Sequence, residues 1–185
     1  MQKEQMLSAI QQCDPCQDAA WLRAGAEFWP EDVTLSWLLR NPERGGREVS
    51  MRNRRWLGVA MLHRHAPARL SVALKAIVLR LARTVVADAC ERAGRHGEAA
   101  SLRGLQDAAG WRGIELTCAA AHPLQAAEWT SLAAELGARV EAGAELQVAF
   151  DAVAAAGRAA RTVNRHREEV ELQNSAYADA ADGFI

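Results

Sequence analysis

The residues best suited to chemistry are Cys13 and Cys16, which two residues, Asp and Pro, separate. This spacing occurs in redox-active dithiols and in half of a zinc site, because both sulfurs can reach one atom. A redox pair belongs at a strand-to-helix junction, and the flanking sequence has no strand pattern. Zinc needs two more ligands, and His63 and His65 are the nearest candidates. Two helical residues at that spacing point about 200° apart, so this ligand set requires the helix to have ended.

A single CxxC pattern also fits two reduced thiols in a turn, which is the interpretation we favour. We therefore expect no cofactor, with zinc on Cys13, Cys16, His63 and His65 as the alternative. The chain lacks a phosphate-binding glycine loop and the GxSxG and HExxH motifs. These absences favour a protein that is not an enzyme, without deciding the matter, and we predict no catalytic residue.

Aromatic and arginine side chains are the second group of candidates. The chain has six Trp, and Trp and Arg are enriched at binding hot spots. Phe28 and Trp29 are adjacent and point about 100° apart on a helix, so one of them is expected to be exposed or covered by a loop. Trp37 and an arginine-rich loop follow. The predicted partner-binding residues are Phe28, Trp29, Trp37, Arg44, Arg47, Arg52 and Arg55.

The segment from Arg40 to Arg69 contains eight Arg against Glu43 and Glu48. It is an alternative nucleic-acid surface, because arginine binds phosphate bidentately. Nucleic-acid-binding domains usually have a pI above about 9, whereas this chain has a net charge of −1 and a pI near 6.5. From Glu168 to the end there are five acids and no Lys or Arg. We favour a solvent-exposed arginine face whose positive charge is balanced by these acids of the same chain.

The segment 67–96 has the clearest helical pattern, with two apolar stripes on opposite sides at about 100° per residue. The first stripe contains Leu70, Leu74, Ile77, Val78, Leu81 and Val85, and the second contains Val72, Leu79, Val86 and Cys90. Pro67 suits the first turn and Gly94 suits the end. Because both faces need cover, we predict the central helix of a bundle.

Asp88 shares the helical angle of Leu70 on the first stripe, where a carboxylate needs a partner. We predict a buried ion pair between Asp88 and an Arg of a neighbouring helix. No second carboxylate accompanies it at a spacing that suggests acid/base catalysis.

The remaining pattern is also helical, including a predicted helix start at Pro30. The predicted fold is all-α, a single globular bundle of six to eight helices over 1–173, followed by a polar, disorder-prone tail over 174–185. The N-terminus lacks the pattern of a signal peptide. No apolar run approaches the ~20 residues of a membrane span. We therefore expect a cytoplasmic protein that does not contact a membrane.

In composition the chain resembles small Ala-, Arg- and Trp-rich bacterial helical proteins of the immunity or antidote kind, although no motif carries the resemblance. We expect a non-enzymatic module of antidote, inhibitor or adaptor type that occludes a protein partner. A homodimer is compatible with the same sequence. The alternatives are nucleic-acid binding through Arg40 to Arg69 and a metal or redox role for Cys13 and Cys16.

Overall fold

The computed structural model describes residues 1–13, 26–41, 51–107, 130, 148, 151–153, 155 and 166–183, with only the backbone at 51–54, 166 and 167. Regular structure in this part of the chain is helical, which confirms the all-α class. The α-helices are α1 (Lys3–Cys13), α2 (Leu35–Arg40), α3 (Met51–His65), α4 (Pro67–Leu81), α5 (Ala87–Arg92), α6 (His96–Arg103) and α7 (His166–Ala181), and a π-helical turn (Ala82–Val86) joins α4 to α5. Within these ranges there is no β-strand; Gln2 and Asp32 form one isolated antiparallel bridge. No described helix is both long and apolar enough to cross a membrane.

The chain divides into two compact units. One consists of Met1–Leu70 with Glu171–Ile185, and the other of Ser71–Val170. The predicted single domain over 1–173 is not tested by this division and stays a prediction.

In the first unit, α1 buries Met6, Leu7 and Ile10, the residues that its apolar spacing predicts to face inward. The next helix begins later than predicted. Thr34 caps α2 by accepting a hydrogen bond from the Trp37 N–H at 3.1 Å. The predicted helix start at Pro30 is therefore wrong, because the helix begins after Thr34, whose side chain satisfies the otherwise unpaired N–H of Trp37.

Helix α7 continues through Ala181, so residues 174–181 are not the polar tail that we expected. This helix buries Gln173, Asn174, Tyr177, Ala178 and Ala181 on one side. The stripe is difficult to recognise in the sequence because alanine and two amide side chains supply most of it. Arg69 binds the end of the helix by donating to the carbonyl oxygens of Ala180 and Asp182, at 3.3 and 2.9 Å.

The predicted helix over 67–96 is interrupted by the π-helical turn. The Ala87 N–H donates to the Ala82 carbonyl, five residues back. Three consecutive β-branched residues, Thr84 to Val86, lie here, and such side chains fit a regular α-helix less well. A π-helical turn contains one residue more than the prediction of a regular α-helix allows. Side chains after the turn therefore point about 100° away from their predicted directions. Val86 is therefore buried where a regular helix would bury Val85, which is only half-buried.

The helical segment ends at a Schellman motif, as its glycine predicts. Gly94 adopts a φ of 75°, and the Arg95 N–H donates to the Cys90 carbonyl at 2.9 Å. The second predicted stripe is not covered along its whole length, because Val72 is 67% exposed. That this segment forms the centre of a bundle stays a prediction.

Candidate functional site

Phe28 lies in a tight turn that the Trp29 N–H closes by donating to the Ala26 carbonyl at 3.1 Å. The Phe28 side chain is 66% exposed, whereas Trp29 is 8% exposed. One of the two aromatic side chains is therefore exposed and the other is in the core, although both residues lie in a turn and not on the helix that the prediction assumed. Aromatic side chains, Phe included, are enriched at protein interfaces, so the exposed Phe28 ring is a candidate contact for another protein.

The turn that carries Phe28 is fixed to the N-terminus of the chain. The Lys3 N–H donates to the Glu31 carbonyl at 3.1 Å, and the Val33 N–H donates to the Met1 carbonyl at 2.9 Å. Val33 is fully buried beside this pairing. Because backbone bonds and buried side chains hold both ends of the turn, the Phe28 ring projects from a preformed surface.

Acidic side chains surround Phe28 in the sequence. Glu27, Glu31 and Asp32 are all exposed, and so is Pro30. We call Phe28 with these three carboxylates the Phe28 patch. It combines one exposed aromatic ring with three exposed carboxylates within four residues of it in the sequence, so it would complement an apolar pocket flanked by basic residues.

Several predicted partner-binding residues are inaccessible. Trp29 belongs to the core, and Trp37 is half-buried on α2. Arg55 is only 4% exposed, and its Nη1 donates to the Gln173 Oε1 at 2.7 Å. The prediction is wrong for Trp29 and Arg55, because their large apolar portions pack in the interior.

The rest of the predicted surface gives no further side-chain geometry. Arg44 and Arg47 lie outside the described residues, and Arg52 is described only by its backbone. Their role in partner binding stays a prediction.

Other arginines of the segment from Arg40 to Arg69 bond within the chain. Arg40 pairs with Asp179 at 2.5 Å and with Asp182 at 2.8 Å. Hydrogen bonds from Arg40 and then Ser36 lower the pKa of Asp182 to about 2. Arg64 donates to the Gln12 Oε1 at 2.8 Å. These arginines therefore stabilise the fold, and Arg40 pairs with the acids near the C-terminus as we favoured.

The zinc hypothesis meets a geometric obstacle. The Arg64 to Gln12 bond brings the ends of α1 and α3 together, which places Cys13 near the histidine pair. However, α3 continues through His65, so His63 and His65 point about 200° apart. At most one of them can join Cys13 on a single ion.

The described residues contain no group of three or more His, Cys, Asp or Glu that could hold a metal. Cys16 lies outside them, so a zinc site there stays a prediction.

Asp88 forms the predicted ion pair, but at the surface. Its carboxylate lies 3.0 Å from Arg103 Nη2, and both side chains are 44% exposed. The π-helical turn explains the difference from prediction, because it rotates Asp88 away from the stripe that contains Leu70. Arg103 also binds Glu91 at 2.8 Å, and hydrogen bonds from Arg103 and then His96 lower the pKa of Glu91.

Sequence reasoning missed a cleft of about 500 Å³ in the second unit. Its lining residues are Ala76, Leu79, Arg80, Arg83, Thr84 and Arg103. The spacing of Arg80 and Arg83 does indicate one helix face. Nothing in the sequence, however, indicates that α6 brings Arg103 to the same place. We call this feature the arginine cleft.

Comparison with known proteins gives no relative. No protein-family model, curated protein or solved structure matches the chain. The fold therefore defines the class, all-α, and the function is argued from the geometry of the sites themselves.

Proposed function

We propose that this chain is a non-enzymatic, cytoplasmic protein-binding module of the antidote, inhibitor or adaptor type, and that it docks through the Phe28 patch. The observation that carries the proposal is the 66% exposed Phe28 ring on a turn that buried Trp29 anchors. The backbone that carries the ring is held by hydrogen bonds before binding, so little backbone entropy is lost on docking. The mechanism is steric occlusion of the partner by a preformed surface.

The chemistry of the Phe28 patch defines the partner. The ring requires an apolar pocket, since aromatic hot-spot residues act in desolvated pockets. Glu27, Glu31 and Asp32 are exposed and lie within four residues of it in the sequence, so we expect basic residues beside that pocket. Complementary charge raises the association rate and excludes acidic partners. A second copy of this chain would present the same carboxylates, which disfavours a homodimer through this surface.

Nucleic-acid binding is the less supported alternative. The carboxylates of the Phe28 patch repel phosphate, and Arg40, Arg55, Arg64 and Arg69 already make bonds within the chain. Nucleic-acid binding would predict a steep fall in affinity with salt. The Phe28 patch predicts a weaker dependence, carried mainly by the association rate.

The test compares two exposed apolar side chains. Phe28→Ala removes the proposed anchor, and Val72→Ala truncates a side chain that is 67% exposed elsewhere. Tagged wild-type and variant chains are expressed in the native host, and the protein retained on each at low salt is identified and its Kd measured. We expect Phe28→Ala to weaken binding by about 30-fold or more, as for a hot spot worth 2 kcal/mol.

Val72→Ala should bind as the wild type does, and both variants should keep the wild-type melting temperature because both side chains are exposed. An equal Kd for Phe28→Ala and wild type would contradict the proposal. So would a partner whose binding surface is acidic.

A further inference from the structure

The arginine cleft is the feature of the second unit that neither the predicted fold nor the proposed function requires. One wall consists of α4 and the π-helical turn, and Arg103 of α6 contributes to the other. Below them lies a buried cluster formed by Ala82, Val86, Ala87, Cys90, Ala99, Leu102 and Leu105, against which Leu79 packs. Packed residues therefore support the cleft.

Two of the three guanidinium groups of the cleft are held by ion pairs with carboxylates. Arg80 makes a bidentate pair with Glu169, with Nη2 to Oε1 at 2.8 Å, and Glu169 is 3% exposed. Arg103 is held by Glu91 and Asp88 at 2.8 and 3.0 Å. Because carboxylates orient both groups, neither needs to lose much rotamer entropy when a ligand arrives.

Arg83 differs from the other two arginines. It is exposed, and within the part of the chain that the structure describes it makes no hydrogen bond or ion pair. It projects from the π-helical turn, a rare deviation that is frequent at functional sites. Thr84 stabilises the same turn, since its hydroxyl donates to the Arg80 carbonyl at 2.8 Å. The turn therefore adds an uncompensated cation to a lining that, among the described residues, has no carboxylate.

We propose that the arginine cleft binds the phosphate group of a small phosphorylated molecule, with Arg83 as the principal charged contact. Three guanidinium groups, two from one helix face and one from α6, match the several oxygens of a phosphate better than the two oxygens of a carboxylate. Leu79 and Ala76 supply an apolar wall for the organic part. A volume near 500 Å³ lies within the usual range for small-molecule pockets, about 300 to 1,000 Å³.

The experiment titrates the intact chain with phenyl phosphate, inorganic phosphate and benzoate at constant ionic strength, by calorimetry and by NMR of the arginine side chains. Phenyl phosphate carries both a phosphate group and an apolar ring. Inorganic phosphate lacks the ring, and benzoate lacks the phosphate group. We expect the affinity order phenyl phosphate, inorganic phosphate, benzoate, with the largest shifts at the Nε–H groups of Arg83 and Arg103.

Two variants remove the same charge from different places. Arg83→Gln should weaken phenyl phosphate binding by about tenfold or more, the effect of losing a charge-assisted hydrogen bond. Arg92→Gln removes an exposed arginine that does not line the cleft and should change the affinity less than about twofold. Arg83→Lys should fall between wild type and Arg83→Gln, because lysine keeps the charge and lacks the planar fork.

The proposal is overturned by any of three results. The first is the absence of saturable binding of phenyl phosphate to the wild type at millimolar concentration. Arg83→Gln and Arg92→Gln could weaken binding equally, which would indicate a general charge effect. Benzoate could bind as tightly as phenyl phosphate, which would exclude a phosphate preference. Arg83 is exposed, so each variant is expected to fold, and circular dichroism checks this.

Discussion

At the scale of single residues, Gly58 marks a close approach of three helices. A Cβ built at Gly58 would lie 3.2 Å from both Leu39 Cδ1 and Tyr177 Cβ. Leu39 belongs to α2 and Tyr177 to α7, so the missing side chain lets α3 pack against both. The sequence gives no sign of this role, because a glycine in a helix interior is otherwise only a loss of helix propensity.

Replacing two helical glycines by alanine should therefore have opposite effects on stability. Gly58→Ala gains up to about 1 kcal/mol of helix propensity and loses about 1 to 3 kcal/mol from overpacking. We expect a net loss of about 1 kcal/mol. Gly97 lies in α6 with no atom within 4 Å of a built Cβ, so Gly97→Ala should gain about 0.5 kcal/mol.

Urea unfolding of both variants and the wild type measures these changes. Stabilisation by Gly58→Ala equal to that by Gly97→Ala would contradict the close packing of α3.

The sequence could predict the environment of a side chain where that environment depends on neighbouring residues in the chain. Adjacency alone indicates that one of Phe28 and Trp29 is exposed or covered by a loop, and Phe28 is exposed. Local pattern could not show that Arg55 is buried, because the partner that receives its guanidinium, Gln173, is 118 residues away. The arginine cleft could not be predicted for the same reason, because only the folded chain brings Arg103 close to Arg80 and Arg83.

At the scale of elements, one extra residue in a helix changes which side chains face inward. The limits of the helical segment from Pro67 were predictable from proline and glycine chemistry, and the segment does end before Gly94. The π-helical turn was not predictable from apolar periodicity, which assumes a constant 100° step. It accounts for both misplaced residues, Val85 and Asp88, and it also places Arg83 in the arginine cleft.

The end of α7 carries an exposed ion pair between Arg40 and Asp182 in addition to its buried side chains. The pKa of Asp182 is lowered to about 2 from an ordinary value of 3.8, chiefly by the hydrogen bond from Arg40. A carboxyl group with a lowered folded-state pKa stabilises the fold fully above its unfolded pKa. The contribution is lost as pH falls from about 4 to about 2.

Asp182→Asn should therefore lower the melting temperature at pH 6 and have little effect at pH 2. The expected observation is a gap between wild type and variant that closes over that range, measured by thermal unfolding at several pH values. Asp32→Asn is the control, because Asp32 is exposed and makes no ion pair among the described residues. A gap that is constant with pH would contradict the role of the Arg40 to Asp182 pair.

At the scale of the whole molecule, the net charge is close to zero, but the charged side chains are unevenly distributed and have different roles. Four described arginines, Arg40, Arg55, Arg64 and Arg69, bond to the chain itself, and Arg40 and Arg69 bond to residues 179–182 at the end of α7. The carboxylates of the Phe28 patch are exposed, and of the three arginines in the cleft only Arg83 lacks a carboxylate partner among the described residues. Helical periodicity predicted the all-α class and the charge distribution predicted the internal pairing of charge, whereas the arginine cleft depends on a contact of α6 that only the folded chain creates.

Native mass spectrometry of the chain purified from its own host, at low salt and without chelator, tests the binding proposal most directly. We predict a complex with one other protein at a defined stoichiometry, and release of the bare chain when Phe28→Ala is purified in the same way. Val72→Ala should retain the complex. A bare monomer or homodimer from the wild type would contradict the proposal, and bound zinc in that species would instead support a site at Cys13 and Cys16.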